Sequence, residues 1–352
     1  MGALSQIPRF RSELSFLPTR NTNQMKAIVY HIYGSADVLR CEDIPKPTPK
    51  DDQALIRVQA AALNPLDWRM MGGVPFPIRV MMRMRTPSSF QPLGIGRDVA
   101  GVVEAVGKDV TQFKVGDEVF GACEAAVAEY GCAKETGLVA KPEALTFEQA
   151  AAIPVAGLTA LQALRDKARI QNGQSVLING AAGGVGTFAV QIAKSFGAEV
   201  TGVCSAANVE MVTSIGADKV IDYTQEDFTK SAQRYDAIID CVGNKSFSQC
   251  RQVLQPEGRY VMVGAGHDDI TMTSIMASAV TTLVASAVSK QKPVMFMAKV
   301  NQSDLAFLAE LTATGKITPV IDRICTLEET PAALAYLERG HACGKVVIQV
   351  AE

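Results

Sequence analysis

The sequence predicts an α/β protein in two parts, a mostly-β domain into which a doubly wound parallel sheet is inserted. Three observations predict this. The chain of 352 residues exceeds what a single hydrophobic core usually supports. After Thr146 the hydrophobic pattern changes from short, turn-punctuated strands to strands alternating with helices. Beyond residue 314 the pattern returns to strand, so the ending resembles the first part's sheet.

Taken in order, Lys26–His31 reads as a strand, Pro45–Pro49 as a turn and Ala54–Ala60 as a strand with partial apolar alternation. Residues 99–120 continue the sheet, because Gly116-Asp117 makes a turn between two apolar strands. Glu148–Leu164 is predicted as helix, Ser175–Asn179 as a buried strand, Thr187–Phe196 as helix, Glu199–Cys204 as strand and Val209–Ile215 as helix. Lys219–Asp222 and Ala237–Cys241 follow as strands, Phe247–Leu254 as helix, Arg259–Val263 as strand and Leu305–Thr314 as helix. This alternation implies right-handed crossovers and hence a parallel sheet. Val320–Cys325 and Lys345–Val350 close the chain as strands. The expected division is 25–148 with 316–352 for the mostly-β domain and 149–315 for the parallel one. Residues 1–24 are read as a disordered extension or an over-long start.

At 48% hydrophobic and 20% charged residues, with a formal net charge of -2, the composition is that of an ordinary globular enzyme. It offers no broad positive field for nucleic acid or anionic lipid, and neither is expected as a partner. The eight cysteines lack the Cys-x-x-Cys pairs of structural zinc and the density of a disulfide scaffold, and so read as reduced thiols in the cytoplasm. Arg9, Arg11 and Arg20 against Glu13 give the first residues a faint likeness to an organelle transit peptide, without an apolar secretory core. Ile270–Val288 carries no charge, but its many Ser and Thr residues suit a buried helix or a substrate-side loop, not a membrane span.

Asn179-Gly180-Ala181-Ala182-Gly183-Gly184-Val185-Gly186 follows a predicted strand and opens a predicted helix, the context of a Rossmann nucleotide-binding turn. Gly183 would let the backbone approach a pyrophosphate, and Gly186 would let the helix pack closely on the strand. The helix N-terminus would direct unpaired N–H groups and its positive dipole end at the phosphates. Ala181 stands where the first glycine of the fingerprint usually sits, and a glycine turn with no ligand is the alternative reading. At the end of the next strand, Thr201-Gly202-Val203-Cys204-Ser205 offers no acid to bond a ribose 2′-hydroxyl, which favours NADP(H) over NAD. Ser205 and Asn208 either donate to the 2′-phosphate or cap the following helix.

With these residues in place, the chain from Met25 to Val350 resembles the medium-chain dehydrogenase/reductase superfamily and its zinc-free quinone-oxidoreductase-like branch. The matching segments are Leu63-Asn64-Pro65-Leu66-Asp67, Gly96-Arg97-Asp98-Val99-Ala100-Gly101, Lys114-Val115-Gly116-Asp117, Pro154 to Ala160, the glycine loop, Gly216 to Tyr223 and Gly344-Lys345-Val346-Val347-Ile348. The resemblance implies a GroES-like catalytic domain joined to a Rossmann domain, with the active site between them. It implies that Asn64 and Thr159 lie beside the nicotinamide and that Ala181 and Gly183, Gly184, Val185 and Gly186 hold the pyrophosphate. It further implies that Ser205, Asn208 and Tyr223 surround the adenosine phosphate, and that loops with Cys241, Gly243, Val263, Gly264 and Gly266 line the reactive half. Asn208 stands where many NADPH-specific relatives carry lysine. Two readings are open for Lys345, charge supplied to the cleft or a surface strand lysine, and two for Tyr130, proton donor or core packing.

Alcohol-reducing members of the superfamily hold zinc with a Cys and a His-Glu pair, where this sequence has Asn64 and Gly96-Arg97-Asp98. With three histidines in the whole chain, and without the lobe of four closely spaced cysteines, no zinc site is expected. The expected function is NADPH-dependent hydride transfer to a small quinone or α,β-unsaturated carbonyl. Reduction of enoyl thioesters and a cofactor-binding regulatory or structural role with little turnover are the alternatives. A homodimer is expected from the resemblance and from Pro293-Val294-Met295-Phe296-Met297, which either pairs edge to edge with a second copy or forms an internal strand of the Rossmann sheet.

Overall fold

The computed structural model describes residues 23–73, 85–263 and 291–351. Residues 1–22, 74–84, Gly264, Gly266 and Ile270–Val288 lie outside the described residues.

The first part of the chain carries strands β1 (Gln24–Tyr30), β2 (Arg40–Pro45) and β3 (Gln53–Leu63), helix α1 (Pro65–Met71), then β4 (Leu93–Gly94), β5 (Asp98–Val106), β6 (Glu118–Ala122), β7 (Tyr130–Lys134) and β8 (Leu138–Ala140). Helices α2 (Phe147–Ala151) and α3 (Pro154–Gln162) lead into β9 (Ser175–Asn179), α4 (Gly184–Ser195), β10 (Glu199–Cys204), α5 (Val209–Ser214), β11 (Lys219–Asp222) and β12 (Tyr235–Asp240). There follow α6 (Phe247–Cys250), β13 (Leu254–Met262), β14 (Lys292–Met295), α7 (Gln302–Ala313), β15 (Ile321–Thr326), α8 (Thr330–Glu338) and β16 (Lys345–Gln349).

Strands β9 to β14 form a six-stranded sheet in the order β11-β10-β9-β12-β13-β14, and all its pairs are parallel. A seven-stranded sheet runs β15-β16-β3-β5-β6-β8, with β7 also paired to β3, and a small sheet has the order β2-β1-β4. The last strand does return to the first sheet, since β16 runs antiparallel to β3 with Val346 opposite Leu63. The fold is thus a GroES-like sheet joined to a Rossmann-like parallel one.

The helix predicted over Glu148–Leu164 is two helices. Thr146 caps α2, its hydroxyl accepting from Gln149 N at 3.2 Å, but Pro154 has no N–H to continue the ladder and its ring crowds the preceding turn. The chain restarts with Pro154 as the first residue of α3. This break places α2 and α3 between the two sheets. One buried cluster joins Ala60, Ala100 and Phe120 of the GroES-like sheet to Ile153 and Leu158 here and to Ile178 and Phe188 beyond.

Candidate active site

Parallel register brings the carboxyl ends of five strands to one edge. Val203 and Asp240 both pair with Asn179, Cys204 pairs with Asp222, and Asp240 pairs with Met262. In the strand order the direction of winding reverses at β9 and β12, the position at which open parallel sheets bind their ligands.

The glycine loop occupies this point. Gly180 has φ +81, and its N–H and that of Ala181 both donate to Val203 O, at 3.1 and 3.0 Å. A Cβ on Gly186 would lie 2.1 Å from Gly180 O, so a side chain there would push α4 off the end of β9. Gly183 is different: a Cβ would meet nothing nearer than Gly180 O at 3.5 Å. The protein's own packing does not demand glycine there, which leaves a backbone open to close approach from outside. Fully buried Ala181 fits because Gly202 faces it, a Cβ on Gly202 falling 3.0 Å from the Ala181 methyl. The broken fingerprint is thereby compensated on the neighbouring strand.

Ser205 follows the end of β10, and Tyr223, an exposed ring, follows the end of β11 with its N–H on Cys204 O at 3.0 Å. Neither Ser205 nor Asn208 makes a side-chain cap bond to a helix. Instead Asn208 Nδ2 donates to Ser205 Oγ at 3.3 Å. Beyond β12, Asp240 Oδ1 accepts from Val242 N and Gly243 N, at 3.0 and 2.8 Å, and from Asn179 Nδ2 at 2.9 Å. Tyr260 donates its hydroxyl to the other oxygen at 2.5 Å. This buried carboxylate holds the Cys241–Gly243 turn at the edge, and burial pushes the Cys241 thiol well above its usual range. Val263 N–H is fixed by Asp240 O at 2.9 Å.

Beside the glycine loop lies a second buried network. Lys345, 3% exposed, donates from Nζ to Asn64 Oδ1 at 2.7 Å, to Asp98 Oδ2 at 3.0 Å and to Leu63 O at 3.1 Å. Asn64 Nδ2 donates to Asp98 Oδ2 at 3.0 Å and Ala62 O at 3.3 Å. Lys345 is therefore no surface lysine, and its three N–H bonds are all spent on the protein. Its stem lies against the start of α4, 3.1 Å from a Cβ built on Gly184, and Gly344 N donates to Ala182 O at 2.8 Å. Asp67 accepts from Asn64 N at 2.7 Å and Gly96 N at 3.2 Å, yet burial, with Asp98 nearby, raises its pKa to about 6.

Thr159 lies one turn beyond Val155 on α3, and its hydroxyl donates to Val155 O at 2.7 Å. These two are half-buried in a helix whose other residues are buried. Tyr130 is the correction. It pairs with Arg57 on β3, six residues and roughly 20 Å of strand from Leu63, and it packs against Met25, Ala27, Val29 and Ala128 with Lys46 over its ring at 3.6 Å. It belongs to the core of the small sheet, not to the crevice. Asp98 and Asp67 were not singled out from sequence. The available signal was a carboxylate opening the apolar run Val99-Ala100-Gly101-Val102-Val103, where a charge needs a buried partner.

Zinc does not fit here. The Lys345 ammonium fills the space between Asn64 and Asp98, and among the described residues no group of three His, Cys, Asp or Glu side chains is placed to hold a metal.

Two family models match, "alcohol dehydrogenase GroES-like domain" over residues 50–163 and "zinc-binding dehydrogenase" over 215–348. The mitochondrial NAD(P)H oxidoreductase RTN4IP1 of Mus musculus is 35% identical, covering 97% of this chain and 93% of its own. The 2-methylene-furan-3-one reductase of Solanum lycopersicum is 36% identical over 93% of this chain and 79% of its own. The solved quinone oxidoreductase of Coxiella burnetii superposes with a TM-score of 0.81 at 34% identity, covering 93% of this chain and 100% of its own. Fold and relatives together define an NAD(P)H-dependent oxidoreductase. The chain belongs to the medium-chain dehydrogenase/reductase superfamily, in its quinone-oxidoreductase-like branch.

Proposed function

We propose that the chain is a zinc-independent reductase that uses NADPH to reduce quinones or α,β-unsaturated carbonyls. The observation that carries this reading is the glycine turn at the open edge of the parallel sheet, set against the buried Asn64–Asp98–Lys345 network. The N–H groups at the start of α4, from Gly184 to Gly186, would hold the pyrophosphate, with Gly183 and Ala181 shaping the turn. Ser205, Asn208 and Tyr223 would surround the adenosine phosphate, and Cys241, Gly243 and Val263 the reactive half. Gly264 and Gly266 share that assignment. When bound, the reduced nicotinamide supplies a hydride.

The chain's own residues orient and shelter the reaction. Because the Thr159 hydroxyl spends its proton on Val155 O, it meets a ligand as an acceptor, which suits a carboxamide N–H. Negative charge that develops on the acceptor's carbonyl oxygen is shielded from bulk solvent in the crevice between the domains 25–148 with 316–352 and 149–315. With Tyr130 elsewhere, water brings the final proton. A saturated alcohol would need a strong Lewis acid, and an ammonium already fills that place. The test is NADPH oxidation across a panel of quinones and conjugated aldehydes and ketones. Consumption with members of that panel and none with plain primary alcohols is expected; silence across the whole panel refutes the reading.

NADPH binds more tightly than NADH on this reading, by a modest margin, because Ser205 and Asn208 are uncharged donors. Ser205→Asp reverses the order by like-charge repulsion, and equilibrium titration with both nucleotides measures it. Equal or tighter binding of NADH by the unaltered protein would end this reading of the loop. The working form is a homodimer in a reducing, cytoplasm-like compartment, consistent with eight free thiols. The mouse relative is named as mitochondrial, so fractionation with and without residues 1–24 decides the compartment.

A further inference from the structure

Asp98 is the group through which the buried network reaches helix α3. Its side chain is fully buried, Oδ2 accepts from Asn64 and Lys345, and Oδ1 accepts from Val155 N at 2.8 Å. Val155 is the second residue of α3, where helix donors have no partner within the helix, and Pro154 before it has no N–H at all. The carboxylate therefore takes the first exposed donor of the helix, at the positive end of its dipole. One turn later on the same face stands Thr159, bonded back to Val155 O. The polar hydrogens of Asn64 and Lys345 are all engaged inside the network, so neither side chain has a donor left for a ligand. What the network presents to the crevice is the placement of α3.

We propose that Asp98 is a positioning residue for hydride transfer: its Oδ1 fixes the start of α3, and with it Thr159, against β3 and β16. The proposal rests on the reading that Thr159 meets the nicotinamide. Lys345 and Asn64 hold the carboxylate in the one orientation that keeps Oδ1 on Val155 while Oδ2 is neutralised. The oxygen does the positioning and the charge pair supports it.

Two double variants of the full chain separate these parts. Asp98→Asn with Lys345→Met removes both charges and keeps a side-chain oxygen for Val155 N–H. Asp98→Ala with Lys345→Met removes the charges and the oxygen together. Neither strands one partner of the Asp98–Lys345 ion pair, and thermal unfolding checks that both fold. Hydrogen exchange at residues 155–159, read by mass spectrometry without any ligand, reports the helix start. NADPH affinity by direct titration, and kcat with an acceptor that the wild type reduces, report its consequence. Exchange is expected to stay near wild type in the Asn/Met protein and to rise about tenfold in the Ala/Met protein. The Asn/Met protein loses about threefold in kcat, and the Ala/Met protein about 10- to 100-fold, with NADPH affinity changed little. Equal exchange in the two proteins overturns the proposal, as does equal kcat with exchange different. If the wild type reduces no acceptor, the functional reading fails by itself, and the exchange result alone decides whether Asp98 places α3. If both variants unfold, the wild type decides it: slow exchange of the Val155 amide, a first-turn donor with no partner inside the helix, supports the proposal, and fast exchange overturns it.

Discussion

Asp67 shows how one buried side chain couples stability to pH. It lies under the network with two backbone donors, and burial is the largest cause of a pKa raised to about 6. A carboxyl with a raised folded-state pKa binds its proton more tightly when folded, so its contribution to stability is complete below pH 4 and is lost as pH rises through 6. The wild type should therefore lose about 2 kcal/mol relative to Asp67→Asn between pH 4 and pH 7, most of it before pH 6.5. Denaturant unfolding of both proteins over that range measures it, and parallel curves would remove Asp67 as the source. Single residues were the hardest scale to read from sequence. Asn64 stood in a visible motif, but its partners Asp98 and Lys345 are 34 and 281 positions away, and only the fold brings them together. The two readings of Tyr130 stayed open for the same reason, since strand register, not sequence distance, decides which end of β3 it meets.

At the scale of elements, the glycine loop makes the sharpest separation between packing and binding. Gly186→Ala places a methyl 2.1 Å from Gly180 O, so α4 must shift; the expected outcome is lower thermal stability together with loss of NADPH binding. Gly183→Ala meets only Gly180 O at 3.5 Å, so stability should hold while NADPH affinity falls about tenfold or more. Calorimetric unfolding and nucleotide titration on the pair distinguish them, and a Gly183→Ala protein that binds normally would show that no ligand approaches there. The alternating strands and helices of the parallel sheet were legible because buried strands are short apolar runs bounded by turns, and Ser175–Asn179, Glu199–Cys204 and Lys219–Asp222 fall where the pattern put them. The break at Pro154 was written in the sequence and overridden by the helical period around it. Helices α1 and α8 were not anticipated. Each is short, and α8 buries only Thr330, Ala333 and Leu334, too few apolar positions to establish a period.

At the scale of the whole molecule, the strand order leaves β14 at one end of the parallel sheet, paired to β13 through Lys292–Met295. The stretch Pro293–Met297 thus gives that sheet a strand as far as Met295, at its edge among the described residues and not inside it, and pairing with a second copy is the proposal. Among the described residues nothing pairs with its outer side, while Met295 and Met297 are 62% and 69% exposed. An edge whose backbone groups have no outer partner among the described residues, the N–H lacking only at Pro293, and which carries large apolar side chains is a template for a second strand, and a two-fold axis there would join two sheets without leaving an open end. The proposed dimer should therefore sediment as such at micromolar concentration. Met295→Lys and Met297→Lys together should shift it to monomer, because like charges would face each other across the axis. Secondary structure should be unchanged, since both side chains already face solvent in one copy. A wild-type monomer at that concentration removes the dimer, and a double-lysine variant that remains dimeric moves the interface away from β14.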